Sequence, residues 1–178
     1  MPDKLLSQYQ TLSNKIVWGP VEAEFVLGND YSAEMISNVN IVPMVGDQYV
    51  LIKAKNGGYE LPGGTLEPGE SILDGLRREV VEEVGAELVD FHVLGHFQCT
   101  SKLEKPYRPH IPHPQFIRLI GYGSVKIIGD PTNPNDGEQI ETVELVSIHE
   151  AIKKLEENDR YDLADLYRLA HDKRNTML

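Results

Sequence analysis

Apolar positions along this chain alternate between a helical period and a strand period. Near the start, "DKLLSQYQTLSNKI" puts Leu5, Leu6, Tyr9, Leu12 and Ile16 on one face, which predicts a helix with Asp3 as its N-cap. "IVWGPVEAEFVLG" is rich in strand formers and breaks near Pro20, which has no N–H for a ladder. "NVNIVPMV" and "QYVLIKAK" flank Gly46-Asp47, a two-residue hairpin signal. "NGGYELPGGTLEPGE" is dense in Gly and Pro and reads as a loop. The helical period then returns, with Ser71 as N-cap, Asp74 three residues on, and Gly85 suited to a left-handed C-terminal position. Its apolar stripe is Ile72, Leu73, Leu76, Val80 and Val84, which is expected to face a sheet. "AELVDFHVLGHFQCT" reads as one strand, followed by the Pro-rich loop "SKLEKPYRPHIPHP". "QFIRLIGYGSVKII" is another strand, "DPTNPNDGE" a second loop, and "TVELVS" a last strand. Ser147 to Glu150 is a capping box opening a helix through "EAIKKLEE", and "YDLADLYRLAHDK" gives a final amphipathic helix. Mixed strands with few helices predict the α/β class, a mixed β-sheet between helices in an α/β/α sandwich.

Composition narrows the class. At 178 residues, 40% hydrophobic and 25% charged, the chain suits one well-buried core, so 1–178 reads as a single domain with 1–38 as an N-terminal helix and strand extension. A net charge of -11 repels nucleic-acid phosphates, so DNA is not an expected partner. "MPDKLLSQYQ" lacks the apolar core of a signal peptide, and no apolar run approaches a membrane span. The single cysteine, Cys99, rules out an internal disulfide and a multi-cysteine metal site, and it reads as a small buried apolar residue. A cytoplasmic protein with no membrane partner is expected. A homodimer is left open.

One pattern resists a purely structural account. Glu79, Glu82 and Glu83 crowd the end of the helix before Gly85, where the helix already carries partial negative charge. Glu79 and Glu83 are also four apart, a spacing at which like charges repel by roughly 0.2–0.5 kcal/mol. A solvated acidic face is the bland reading. Converging carboxylates are also a hard-oxygen site for Mg²⁺ or Mn²⁺, and a cation there removes the repulsion. Gly75 projects into the same sector, and its missing side chain is expected to admit the Gly63-Gly64 loop.

The surroundings favour the second reading. From Gly64 the chain runs "GTLEPGESILDGLRREVVEEVGA", which carries every fixed identity of the Nudix box at residues 64–86. The chain therefore resembles the Nudix hydrolases, and the order of strands and helices around the box is similar too. Ala86 departs slightly, where a larger aliphatic residue is usual, and Gly75 stands where Ala is common. The resemblance implies a Mg²⁺-dependent (or Mn²⁺-dependent) pyrophosphohydrolase that cleaves a nucleoside diphosphate linked to another moiety. Carried over, Glu79, Glu82 and Glu83 are metal ligands, with the Gly63 carbonyl as a further one. Arg78 orients the box carboxylates through a salt bridge to Glu70, and Glu79 is a candidate general base. The alternative from a different class is a non-catalytic Nudix-fold nucleotide-binding module or regulator, against which the intact acids argue.

Substrate choice is less legible. The tyrosine that would suggest diadenosine polyphosphates is missing, since Lys102 to Glu104 fill its window, and Ser101 stands where a proline would suggest ADP-ribose. The signatures of NADH pyrophosphatases and coenzyme A hydrolases are not visible. "EQIETVELVS" resembles the segment of ADP-sugar hydrolases that supplies a loop base, so Glu138 or Glu141 is a candidate beside the bland reading of solvated loop acids. Lys102, Lys105 and Arg108, with Tyr107, form a basic island in an acidic chain. They are expected either to clamp a distal phosphate and stack a base or to be a solubilising loop. His110 and His113 lack further ligands for zinc.

Overall fold

The computed structural model describes residues 2–177, with side chains from Lys4 onward. The elements run α1 (Pro2–Leu6), β1 (Ile16–Trp18), β2 (Val21–Leu27), β3 (Ile36–Val45), β4 (Gln48–Ala54), β5 (Tyr59–Glu60), β6 (Gly63–Thr65), α2 (Ile72–Val84), β7 (Ala86–Leu88), β8 (His92–Ser101), β9 (Gln115–Ile127), β10 (Ile140–Val146), α3 (Ile148–Glu157) and α4 (Tyr161–Thr176). A single-turn 3-10 helix, Ala33–Met35, precedes β3.

The main path of the sheet is β1-β2-β8-β9-β3-β4-β10. β3 and β9 run parallel, with Val39 beside Leu119 and Ile41 beside Gly121, and their neighbours are antiparallel. Both faces are covered, as the α/β class requires. On one face Leu76, Val80 and Val84 of α2 pack on Val39, Ile41, Ile52 and Leu119. On the other, α3 and α4 pack Leu155, Leu163 and Leu166 against Val42, Phe97 and Ile120. The stripe expected on α2 is correct except for Leu73, which is exposed. The Gly46-Asp47 hairpin closes with Val45 opposite Gln48. Ser71 and Ser147 cap α2 and α3, accepting from the Asp74 and Glu150 main-chain N–H.

Three local expectations change. The N-terminal helix stops at Leu6, and the side chain expected to cap it, Asp3, lies outside the described side chains. Leu6, Tyr9 and Leu12 are buried as expected, but in turns, and Ile16 begins β1. The reason is tertiary: the Asp165 carboxylate of α4 accepts from Thr11 N–H at 2.8 Å, and Tyr9 donates to Asp172. Ser7 and Ser13 hydroxyls take nearby carbonyls, offering the backbone an alternative to the helix. Second, the single strand expected after α2 is two, β7 and β8. Val89 and Asp90 both turn onto the Ser124 carbonyl, and the Asp90 carboxylate accepts from Ser124 N–H. Third, the Gly- and Pro-dense loop contains β5 and β6, which add to β4 and β3.

Cys99 is buried, and burial pushes its thiol up to about 11, in keeping with an unreactive core residue. Among the described residues no helix is long and apolar enough to cross a membrane.

His96 is fully buried on β8, with neither ring nitrogen hydrogen-bonded, and it meets the Tyr31 ring edge-on at 5.5 Å. Burial lowers its pKa, with partial offset from the Gly28 main chain and Asp30. The unfolded chain therefore binds a proton near pH 6.5 that the folded chain refuses, so stability falls as pH drops through that value. Urea midpoints at pH 7.5 and 5.5 check this. The drop is expected to shrink in His96→Leu, and an unchanged drop would show that His96 is not its source.

Candidate metal and nucleotide site

The box loop and α2 meet through one guanidinium. Arg78 donates to Glu70 through Nε (2.9 Å) and Nη2 (2.9 Å), a bidentate pair. Its Nη1 reaches Glu79 at 2.9 Å and Glu82 at 3.4 Å, and Nη2 also donates to the Thr65 carbonyl. The salt bridge expected between Arg78 and Glu70 is present, and the same side chain touches two more of the acids. Arg78 is only about 29% exposed, so these contacts are shielded from water. The hydrogen bonds from Arg78 hold the Glu70 carboxyl below its usual range.

Glu79 and Glu83 are not solvated at all in the bland sense. Both are buried, and burial raises the pKa of each. For Glu79, burial outweighs the Arg78 contact. Glu83 rises to about 9, by burial first and then by Glu79, Glu138 and Glu82, against a bond from Gly63 N–H at 3.1 Å. No basic side chain pairs with Glu83 among the described residues. The acids thus converge, but on Arg78 and Gly63. Among the described residues no three His, Cys, Asp or Glu side chains stand as a ready-made ligand group.

The local backbone suits a cation nonetheless. A Cβ on Gly64 would lie 2.5 Å from Glu79 Oε1, so a side chain there would have to displace that carboxylate. The donors at hand, carboxylate oxygens and the Gly63 carbonyl, are the hard oxygens that Mg²⁺ and Mn²⁺ take. Arg78 leaves Glu79 Oε2 and Glu82 Oε1 unengaged, and a cation would favour the ionised form of Glu83 that burial disfavours.

The loop expected against Gly75 is a different one. A Cβ there would meet Leu66 Cδ2 at 2.5 Å and Glu70 Oε1 at 2.9 Å, so the close approach is by Leu66 to Glu70, while Gly64 faces Glu79.

The remaining candidates divide. Glu138 belongs to a loop tied to the end of α2, since Asn133 N–H donates to the Glu82 carbonyl. Gln139 bonds three carbonyls of that loop, Asn133, Pro134 and Gly137. The Glu138 pKa is raised by burial of its carboxyl and then by Glu60 and Glu79, although much of the residue meets solvent. Glu141 sits exposed at the irregularity in β10. The basic island is less free than expected. Lys102 pairs with Glu22 at 3.0 Å, and Arg108 pairs with Glu67 at 3.4 Å and stacks on Tyr107. His110 Nε2 meets the Leu66 carbonyl at 2.7 Å. Two of the three charges therefore bind the protein's own acids, Lys102 finding its partner on β2 and Arg108 on the box loop, where His110 adds a second tie. Lys105 and Tyr107 stay exposed.

A cavity of about 420 Å³ opens beside β6, and the sequence reading missed it. Trp18, Asn40, Glu60, Arg118, Arg160 and Asp162 supply its polar and aromatic wall. Asn40 is directly paired with Gly63 in the sheet, so the cavity adjoins the box loop. A signal was available: Trp18 is the chain's one tryptophan, and Arg118 interrupts the apolar run "FIRLIGYG".

Comparison with known proteins agrees with this geometry. The family model described as NUDIX domain matches residues 36–168. The chain belongs to the Nudix family. A curated Bacillus subtilis (strain 168) protein, the provisionally named 8-oxo-dGTP diphosphatase YtkD, is 34% identical over 65 residues, which span 36% of this chain and 41% of that relative. Among solved structures, a NUDIX hydrolase from Nitrosomonas europaea is 25% identical with a TM-score of 0.56, covering 78% of this chain and 89% of that one. The Bacillus subtilis pyrophosphohydrolase BsRppH shares the fold at 19% identity and a TM-score of 0.58, covering 74% and 76%.

The Arg78 network gives the Nudix box of this chain a measurable weak point. Gly75→Leu forces bulk against Leu66 and the Glu70 carboxylate, loosening the Glu70–Arg78 pair. Overpacking of this kind costs about 1–3 kcal/mol. Urea denaturation is expected to show that loss, with Gly75→Ala much milder because the tip of Leu66 can turn aside. Equal stability of wild type and Gly75→Leu would refute the contact.

Proposed function

We propose that this chain is a Mg²⁺- or Mn²⁺-dependent pyrophosphohydrolase that cleaves a nucleoside diphosphate linked to a further moiety by attack of water at phosphorus. The observation that carries the reading is Glu83: a buried carboxyl with no basic partner, beside Gly63 and within the field of Glu79. As a carboxylate such a group is costly unless a proton or a cation completes it, and a divalent ion is the partner that would let it ionise. Membership of the Nudix family supports the same reading, and the relatives' names, a nucleotide diphosphatase and a pyrophosphohydrolase, agree with it.

Glu79, Glu82, Glu83 and the Gly63 carbonyl are the groups that would hold the cation. When bound, it polarises the phosphoryl oxygens and acidifies the attacking water. Arg78 positions Glu79 and Glu82, and Glu70 in turn fixes the plane of Arg78. Glu79 or Glu138 accepts the proton of the water; burial raises the pKa of each, which makes it a stronger base. Lys105 and Tyr107, exposed on the strap from Lys102 to His113, are the groups that would contact a part of the substrate distant from the reacting phosphorus, while Lys102 and Arg108 pair with Glu22 and Glu67.

Glu82→Gln and Glu83→Gln preserve shape while weakening the cation site. Each is expected to lower metal-dependent turnover by at least about 10²-fold, the scale on which a positioned catalytic group acts. In wild type, Mg²⁺ at a hundred times its Kd adds about 2.7 kcal/mol of stability, and the thermal shift that reports it is expected to vanish in both variants. Phosphate release from a nucleotide panel through a coupled phosphatase, alongside melts with and without Mg²⁺, tests both points. Wild-type turnover and an intact thermal shift in both variants would overturn the assignment.

A further inference from the structure

Asn40 is a half-buried polar residue in the middle of β3, between the fully buried Val39 and Ile41. Its side chain turns to the segment that enters the box. The amide nitrogen donates to the Leu61 carbonyl at 3.1 Å and to the Pro62 carbonyl at 3.4 Å. Both neighbours are acceptors, so the nitrogen and not the oxygen has to face them. Ile41 N–H also donates to the Pro62 carbonyl, at 2.9 Å, and Arg160 donates to the Tyr59 carbonyl. The chain is thus braced through its carbonyls just before Gly63.

What the brace holds is the Gly63 peptide. β3 and β6 are antiparallel, with Asn40 opposite Gly63. Ile41 N–H bonds Pro62 on one side of this pair, and Leu66 N–H bonds the Ser37 carbonyl on the other. Antiparallel partners alternate between bonded and non-bonded pairs. That phase makes Asn40 and Gly63 a non-bonded pair, so the Gly63 N–H and C=O turn away from β3. The N–H agrees, since it reaches Glu83 Oε2 on α2 at 3.1 Å. The fit against β3 is tight. Gly63 has φ +132, and a Cβ there would lie 2.1 Å from the Val39 carbonyl oxygen and 2.8 Å from Asn40 Nδ2. A small rotation of the backbone from Leu61 to Gly63 therefore re-aims the Gly63 carbonyl, while the acids stay where α2 carries them.

We propose that Asn40 is a positioning residue of the cation site: by holding the Leu61 and Pro62 carbonyls it fixes the Gly63 peptide so that the Gly63 carbonyl joins the box carboxylates on a Mg²⁺ or Mn²⁺ ion, and this rests on the hydrolase reading only in taking a cation to bind there. Two donor hydrogens on one rigid amide suit two successive carbonyls. Leucine has the size of asparagine and no donor, and aspartate would set a carboxylate against both carbonyls. Outer groups that orient a metal ligand change affinity by about 10–100-fold when removed. Because the carboxylates belong to α2, loss of Asn40 is expected to remove one ligand and to leave the rest of the site.

Mn²⁺ alone, added to the full chain enriched in ¹³C at its glycine carbonyl carbons, tests this without turnover. Electron paramagnetic resonance of free Mn²⁺ gives the affinity, and electron–nuclear double resonance of the bound ion reports a coordinated glycine carbonyl as a ¹³C coupling. Gly64 belongs to the bonded pair with Val39 and turns its carbonyl to β3, so the coupling reports Gly63. The wild type is expected to bind Mn²⁺ and to show the coupling. Asn40→Leu is expected to lose the coupling and to bind Mn²⁺ about tenfold more weakly, with the circular dichroism of the metal-free protein unchanged. If Asn40→Leu does not fold, Asn40→Ala, which has no donor and no bulk, decides in its place. Bound Mn²⁺ without a glycine coupling in the wild type, or the full coupling retained in a folded variant, would overturn the proposal and leave the carboxylate site and the hydrolase reading standing. A wild type that binds no Mn²⁺ would overturn the hydrolase reading and the proposal with it.

Discussion

The arrangement around the box depends on one side chain that does several electrostatic jobs together. Arg78 binds Glu70 bidentately, reaches Glu79 and Glu82, and takes the Thr65 carbonyl. A lysine has no fork and could not serve that geometry. Because Glu70 and Thr65 lie in the loop while Glu79 and Glu82 lie on α2, the guanidinium locks loop to helix. The loop then holds Gly63 and Gly64 over the buried acids. Repulsion at the end of α2, which the sequence leaves as a puzzle, is thus partly met by Arg78 inside the protein. What remains without a basic partner among the described residues is Glu83, whose carboxyl is pushed by burial toward its protonated form.

The sheet brings a second set of residues to the same place. Asn40 on β3 is paired to Gly63 on one side and forms the wall of the neighbouring cavity on the other. Trp18 comes from the edge strand β1, Arg118 from β9 and Asp162 from α4. These positions are far apart in the chain and share no local pattern. The parallel pairing of β3 with β9 brings the box and Arg118 together, since Asn38 is registered with Arg118. The box and the cavity that Arg118 lines are therefore placed by one sheet register.

The strap from Lys102 to His113 shows how internal partners change what a charge pattern offers. A basic island in an acidic chain suggests a surface waiting for phosphate. Two of its charges instead find Glu22 and Glu67, which are close only after β2 and β8 pair and the box loop folds. A surplus of acids makes such internal partners plentiful.

Local physics carried a large part of this protein into the sequence. The apolar stripe of α2, the Ser71 and Ser147 caps and the Gly46-Asp47 turn depend on neighbours within a few residues, so spacing alone specified them. The acids of the box were legible for the same reason, because the helical period sets their common side. Tertiary structure decided the rest. The expected first helix gave way to turns because Asp165, distant in sequence, supplies Thr11 with a competing hydrogen-bond acceptor. The strand after α2 divided because Asp90 bonds Ser124 across the sheet. The partner of Gly75, the pairing of the strap and the cavity around Arg118 all depend on register and burial between remote segments. A one-dimensional period encodes which face a residue takes, and only the folded sheet fixes what that face meets.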